Sequence, residues 1–132
     1  MEGLNRLDLY LVAQDLAKFV YRNVLIQLPI EEKWGLTSKI RRAAASIPAN
    51  IAEGYGRFYY QETIRFCYIA RGSLMEMSSY IELALDQSYL PVEIASKFEE
   101  KSNLTLKLIH GYIKYLKQNK RGWNEPAAQK NR

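Results

Sequence analysis

The amino-acid sequence predicts an all-α protein: an antiparallel up-down-up-down four-helix bundle, with helix two kinked at Pro48. Three observations lead there. Apolar residues recur at spacings of three and four through four separate segments, as in helices that each bury one stripe. The connector between the last two segments is only a few residues long, and no strand pattern of comparable strength competes. The chain has 132 residues, 48% hydrophobic and 25% charged, which suits one domain with a shared core and excludes a disordered polymer.

The first segment covers residues 7–27. Leu9, Val12, Leu16, Phe19, Val20 and Asn23 share a stripe, while Asp8, Asp15, Lys18 and Arg22 lie mostly away from it. Leu28 and Pro29 should end it, because the residue before a proline is pushed out of helical geometry. The connector PIEEKWG follows, with room for one short helical turn.

The second helix should begin near Thr37 or Ser38, whose hydroxyls can accept a hydrogen bond from a free first-turn amide. Its buried stripe reads Leu36, Ile40, Ala43 or Ala44, Ile47 and Ile51. Pro48 falls inside this stripe, where a proline costs ~3 kcal/mol in an ordinary helix interior. The stripe keeps its phase across it, so a kink over 44–48 is expected in place of a break. Gly54 and Gly56 then offer the left-handed or extended geometry that stops a helix.

The third helix covers residues 59–86, with Ile64, Cys67, Ala70, Arg71, Leu74, Met77, Ile81 and Ala84 along a seam that resembles a coiled coil. The fourth covers 91–117, opening on Pro91, a residue suited to a first helical position. Its inner face reads Ile94, Phe98, Thr105, Leu108, Ile109, Tyr112 and Leu116. Residues 1–118 therefore form the bundle, and 119–132 a basic tail that reads as disordered. Alanines cluster on helix two at 43, 44, 45, 49 and 52, and Gly72 interrupts helix three at a cost of ~1 kcal/mol relative to alanine. Both features have two readings: close contact within the chain, or a face turned to another subunit.

Composition narrows the function classes. No apolar run approaches the ~18 residues of a membrane span, so no membrane association is expected. The N-terminal apolar stretch contains acids and lacks a cleavage-site pattern, which argues against a signal peptide. A lone cysteine, Cys67, allows no internal disulfide and fits a reducing, cytoplasmic location. With one cysteine and one histidine, His110, neither a zinc site nor a di-iron bundle can be assembled, so no metal and no cofactor are expected. His110 lies on the boundary of helix four and reads as a surface or half-buried structural residue. No phosphate-binding glycine loop is present, and Gly-Tyr-Gly at 54–56 ends a helix where an anion site would open one. The chain is expected not to be an enzyme.

Charge is unevenly placed. Residues 1–111 hold 13 Lys/Arg and 13 Asp/Glu, so the net charge of +5 belongs entirely to residues 112–132. Two basic features are candidates for binding nucleic acid. Lys39, Arg41 and Arg42 crowd the start of helix two, where the helix dipole disfavours cations, and Arg57 follows its end. They read either as a solvated face paired with Glu31 and Glu32 or as an anion site. Lys114, Lys117, Lys120 and Arg121 close helix four, where cations favour the dipole locally and can also grip phosphate. Tyr55, Phe58, Tyr59 and Tyr60 surround Arg57 and could cap the core or stack on bases. Arg71 near the buried seam should pair with Glu53 or Glu76, and together with Asn50 these residues are structural polar candidates.

The stretch LTSKIRRAAASIPANIAEGYGR at 36–57 resembles the signature of the four-helix-bundle proteins of 23S rRNA intervening sequences, and IARGSLME at 69–76 resembles that family's second motif. The similarity spans roughly residues 5–118 and matches Arg41, Arg42, Asn50, Glu53, Gly54, Arg71, Ser73 and Glu76. It implies a homopentameric ring of four-helix bundles. It also implies a fold similar to the accessory variability determinant of diversity-generating retroelements, which binds nucleic acid and a reverse transcriptase. The expected function is thus a homo-oligomeric accessory protein that binds RNA or DNA and assists a reverse transcriptase or a structured RNA. The alternative is a scaffold or protein-interaction module whose basic residues only confer solubility.

Overall fold

The computed structural model describes residues 3, 4 and 7–120 of the chain. Within them lie four α-helices and no strand: α1 (Asp8–Phe19), α2 (Leu36–Tyr55), α3 (Tyr60–Asp86) and α4 (Val92–Asn119). They form a four-helix bundle around one core to which every helix contributes. Leu16 of α1, Ile40 and Ile47 of α2, Leu74 and Met77 of α3, and Ile109 of α4 are all fully enclosed. Each such side chain stabilises the fold by roughly 1.5–3 kcal/mol relative to leaving it in water. The stripes read from the sequence on α2 and α3 are the ones buried. Among the described residues no helix is long and apolar enough to cross a membrane.

The first segment departs from a plain helix. It is α-helical only to Phe19; Val20–Val24 form a wider π turn and Leu25–Gln27 a tighter 3-10 turn. The Leu25 amide bonds back five residues to the Val20 carbonyl. Asn23 lies half-buried and donates from Nδ2 to the Phe19 carbonyl at 3.3 Å. Val24 is fully buried and continues the Leu16–Val20 row, while Asn23, expected on the stripe, stays at its edge.

Helix α2 starts at Leu36, one or two residues before the predicted hydroxyl cap, and Thr37 and Ser38 lie inside it. The capping oxygen comes from Glu32, in the 3-10 turn Ile30–Glu32, whose Oε1 accepts from the Leu36 amide at 3.1 Å. Its other oxygen, Oε2, accepts from the Tyr89 hydroxyl at 3.1 Å, tying the connector before α2 to the connector before α4. That bond, more than burial or the charges of Glu32 and Glu31, raises the Tyr89 pKa above the usual phenol value.

Gly54 and Gly56 do not act as left-handed stops. Gly54 is buried inside α2, and Gly56 ends the helix in right-handed geometry at φ −77°. Gly54 is needed for close approach instead: a Cβ there would sit 2.7 Å from Phe66 Cβ and 3.2 Å from the Thr63 carbonyl oxygen on α3. Thr63 Oγ1 donates to the Gly54 carbonyl at 2.9 Å across the same contact. Pro48 lies within the uninterrupted span of α2. Pro91 precedes α4 in extended geometry, and α4 runs to Asn119, one residue beyond the expected end of the bundle. Arg121 and the rest of the expected tail lie outside the described residues.

Candidate nucleic-acid interface

The cations grouped by sequence separate in space. Lys39, Arg41 and Arg42 are all exposed on α2. Lys39 Nζ lies 5.9 Å from the ring centre of Tyr80 on α3, and Arg41 Cζ lies 5.9 Å from that of Tyr21. The expected pairing with Glu31 and Glu32 is not formed: among the described residues the ion pairs are Arg57–Glu53 and Lys101–Asp15, each at 2.7 Å. One oxygen of Glu32 is committed to the helix amide and the other to Tyr89. Arg57 lies beyond the end of α2, 15 to 18 residues after the other three, roughly 22–27 Å away at ~1.5 Å per residue. Its guanidinium meets Glu53 and lies 4.9 Å from the Phe66 ring centre.

The structural polar candidates also rearrange. Glu53 is exposed, not turned inward, and serves Arg57. Arg71 meets neither Glu53 nor Glu76. It is half-buried, with Cζ 4.7 Å from the Tyr68 ring centre and Nη1 3.4 Å from His110 Nε2. The residue is close enough to the surface to lie against a ring and an imidazole, so no carboxylate is required to neutralise a fully buried charge. Asn50 Nδ2 donates to the Ser46 carbonyl at 2.8 Å, and Ser46 Oγ donates to Ser73 Oγ at 2.6 Å, linking α2 to α3. Glu76 is exposed.

At the end of α4, Lys114, Lys117 and Lys120 are exposed. Lys117 Nζ donates to the Tyr68 hydroxyl at 3.2 Å and lies 5.8 Å from that ring's centre. Tyr68 therefore gathers one cation from its own helix and one from α4. Sequence reasoning missed this residue, although its place three positions before Arg71 puts both on one side of α3.

Of the aromatics near Arg57, Tyr55 is buried and belongs to the core, while Phe58 and Tyr59 are exposed and meet edge to face at 4.8 Å between centres. Cys67 is buried, and burial pushes its thiol from 9.0 to about 12, so it is not a thiolate nucleophile at neutral pH. Among the described residues no three His, Cys, Asp or Glu side chains gather as metal ligands.

No curated protein matches the chain. The family model described as 23S rRNA-intervening sequence protein matches residues 5–111, a stretch that takes in α1, α2, α3 and most of α4. The chain belongs to the family of 23S rRNA-intervening sequence proteins.

Proposed function

We propose that this chain is a non-enzymatic, homo-oligomeric accessory protein that binds nucleic acid in the cytoplasm. We read it as a pentamer serving a reverse transcriptase or a structured RNA. The observation that carries the reading is the placement of charge. Residues 1–111 are balanced at 13 cations and 13 anions, while residues 112–132 hold six cations against Glu125. A ring would bring several copies of that segment together and multiply their hold on one polyanion through effective concentration. The service to a reverse transcriptase rests on fold analogy with the accessory variability determinant of diversity-generating retroelements.

In this reading the helices run antiparallel, up-down-up-down. Contacts that step one way along α2 and the other along α3 support it: Lys39 with Tyr80, Ser46 with Ser73, Gly54 with Thr63. So do Arg71 with His110 and Tyr68 with Lys117 between α3 and α4. Helix α2 bends at Pro48, which cannot donate to the Ala44 carbonyl.

Sizing the purified protein in solution and titrating it with labelled RNA and DNA at two salt concentrations tests the proposal. A ring-sized species whose affinity drops steeply with salt is the expected result. Undetectable binding at low salt overturns it. That outcome would favour the scaffold reading, which a different observation supports: Ile26, Ile30 and Trp34 are 71%, 77% and 83% exposed around the connector before α2. Three large apolar side chains so placed suit a protein partner.

A further inference from the structure

Two cations meet at Phe66, but there Arg57 is paired with Glu53; among the described residues, those at the α3–α4 seam have no such acid. Arg71 and Lys117, from two helices, both approach the ring of Tyr68, at 4.7 and 5.8 Å from its centre. His110 adds an imidazole 3.4 Å from Arg71. Among the described residues no carboxylate pairs with Arg71, Lys114 or Lys117. Groups of one sign brought together without a counter-charge repel each other in the free protein, and the same arrangement focuses field on an incoming anion.

The strip has length as well as charge. His110, Lys114 and Lys117 follow one another at spacings of four and three on α4, so they share a side and extend about 10 Å along it. A single phosphate cannot span that distance, whereas successive phosphates of one strand can. Two glycines border the strip, Gly72 four residues after Tyr68 on α3 and Gly111 three before Lys114 on α4. A Cβ at either would meet nothing within 4 Å inside the chain, so neither glycine is needed for packing. Their lack of side chains leaves the helix surface low next to the cations, where a backbone could lie close.

We propose that Arg71 and Lys117, which meet at Tyr68, together with His110 beside Arg71 and Lys114 in the same row on α4, hold the phosphodiester backbone of a nucleic-acid strand. The proposal rests on the nucleic-acid reading above and gives it a site. It makes Arg71 a ligand-contacting residue and Tyr68 a positioning one, whose ring and hydroxyl aim cations from two helices at the same strand. Lys39 and Arg41 on α2 each lie by a separate ring, Tyr80 and Tyr21, so no one ring gathers two of those cations.

The test uses the full chain and single-stranded RNA and DNA of one sequence, followed by fluorescence anisotropy over a series of salt concentrations. Removing Arg71 and Lys117 together, as Arg71→Gln with Lys117→Gln, should lower affinity for both strands. It should also make the slope of log K against log salt shallower by about 1.4, at ~0.7 for each lost contact on a single strand. Lys18→Gln with Lys33→Gln removes the same charge elsewhere and should leave the slope unchanged. Tyr68→Phe keeps the ring and should retain most of the slope, while Tyr68→Ala should lose part of it with a melting curve close to that of the parent. Equal losses in the two double variants would mean that net charge alone attracts the strand, and would overturn the site. Wild-type binding that neither double variant weakens would also overturn it, leaving the nucleic-acid function intact with its site elsewhere. No binding by the parent at low salt would remove both.

Discussion

The two seams of α3 are built on opposite principles. Against α2 it packs with no room to spare: Gly54 admits no Cβ, Thr63 bonds the Gly54 carbonyl at 2.9 Å, and Ser46 bonds Ser73 at 2.6 Å. Against α4 it leaves a groove of about 540 Å³ lined by Met75, Phe98, Ser102 and Leu106 among others. There the hydroxyls of Ser78 and Ser102 only reach 3.5 Å; outside the groove, on the exposed surfaces of the same two helices, Gly72 and Gly111 face open space. Small residues thus do different things on the two sides. Gly54 is consumed by the chain's own packing, whereas nothing within the chain uses Gly72 or Gly111. A glycine inside a helix signals a close neighbour only where the structure supplies one.

The largest effect should come from filling the tight seam. Gly54→Ala forces a new methyl against Phe66 Cβ and a backbone carbonyl, neither of which is the free end of a side chain. Overpacking of this kind costs about 1–3 kcal/mol, so urea unfolding should show a lower midpoint with an unchanged slope. Thr63→Val nearby loses one hydrogen bond of about 1 kcal/mol. If Gly54→Ala matches the parent, the tightness assigned to this seam is wrong.

A comparable effect should come from alkaline pH, which probes how dry the core beside Cys67 is. Cys67 is raised from 9.0 to about 12 by burial, and Tyr112 on α4 is raised too, first by burial and then by the charge of Cys67. Below pH 9 the thiol is protonated in both folded and unfolded chains and contributes no pH dependence. Between pH 9 and about 12 the unfolded thiol ionises while the folded one keeps its proton. Stability should therefore fall as pH rises, by up to about 1.4 kcal/mol per pH unit for one such group. Melting temperatures from pH 8 to 11 should decline, and Cys67→Ala should flatten the decline. A variant as pH-sensitive as the parent would place the effect on Tyr112 alone.

How much of this was legible in the sequence depends on the range of the physics involved. Periodicity is local, so the stripes of α2 and α3 could be read residue by residue. The π turn at Val20–Val24 could not, because the local spacing of apolar residues there is the same as for a continued α-helix. The α2 cap failed for a similar reason: Glu32 reaches the Leu36 amide from a preceding turn whose geometry no hydroxyl preference reveals. At the candidate site, Lys114 and Lys117 were visible as a row on α4. The meeting of Lys117 with Tyr68, which also holds Arg71, was not, since it joins positions 49 residues apart. Arg71 was assigned an acid partner because burial of its charge was assumed, and partial exposure removed the need.

The smallest effect discriminates best between the seams. Gly72→Ala and Gly111→Ala each add a methyl that meets nothing inside the chain and replace the poorest common helix former except proline with the best. Each should raise stability by up to about 1 kcal/mol, opposite in sign to Gly54→Ala although the substitution is chemically identical. Retaining glycine where alanine is more stable makes sense if the low surface serves something outside the fold, a common exchange of stability for function. The paired measurement is strand affinity: a methyl bordering the strip of cations should weaken binding while the melting temperature rises. Should both variants instead lose stability in proportion to protein concentration, the open face is covered by a second copy of the chain. The contrast between the two seams would then be one of partners, internal for α2 and external for α4.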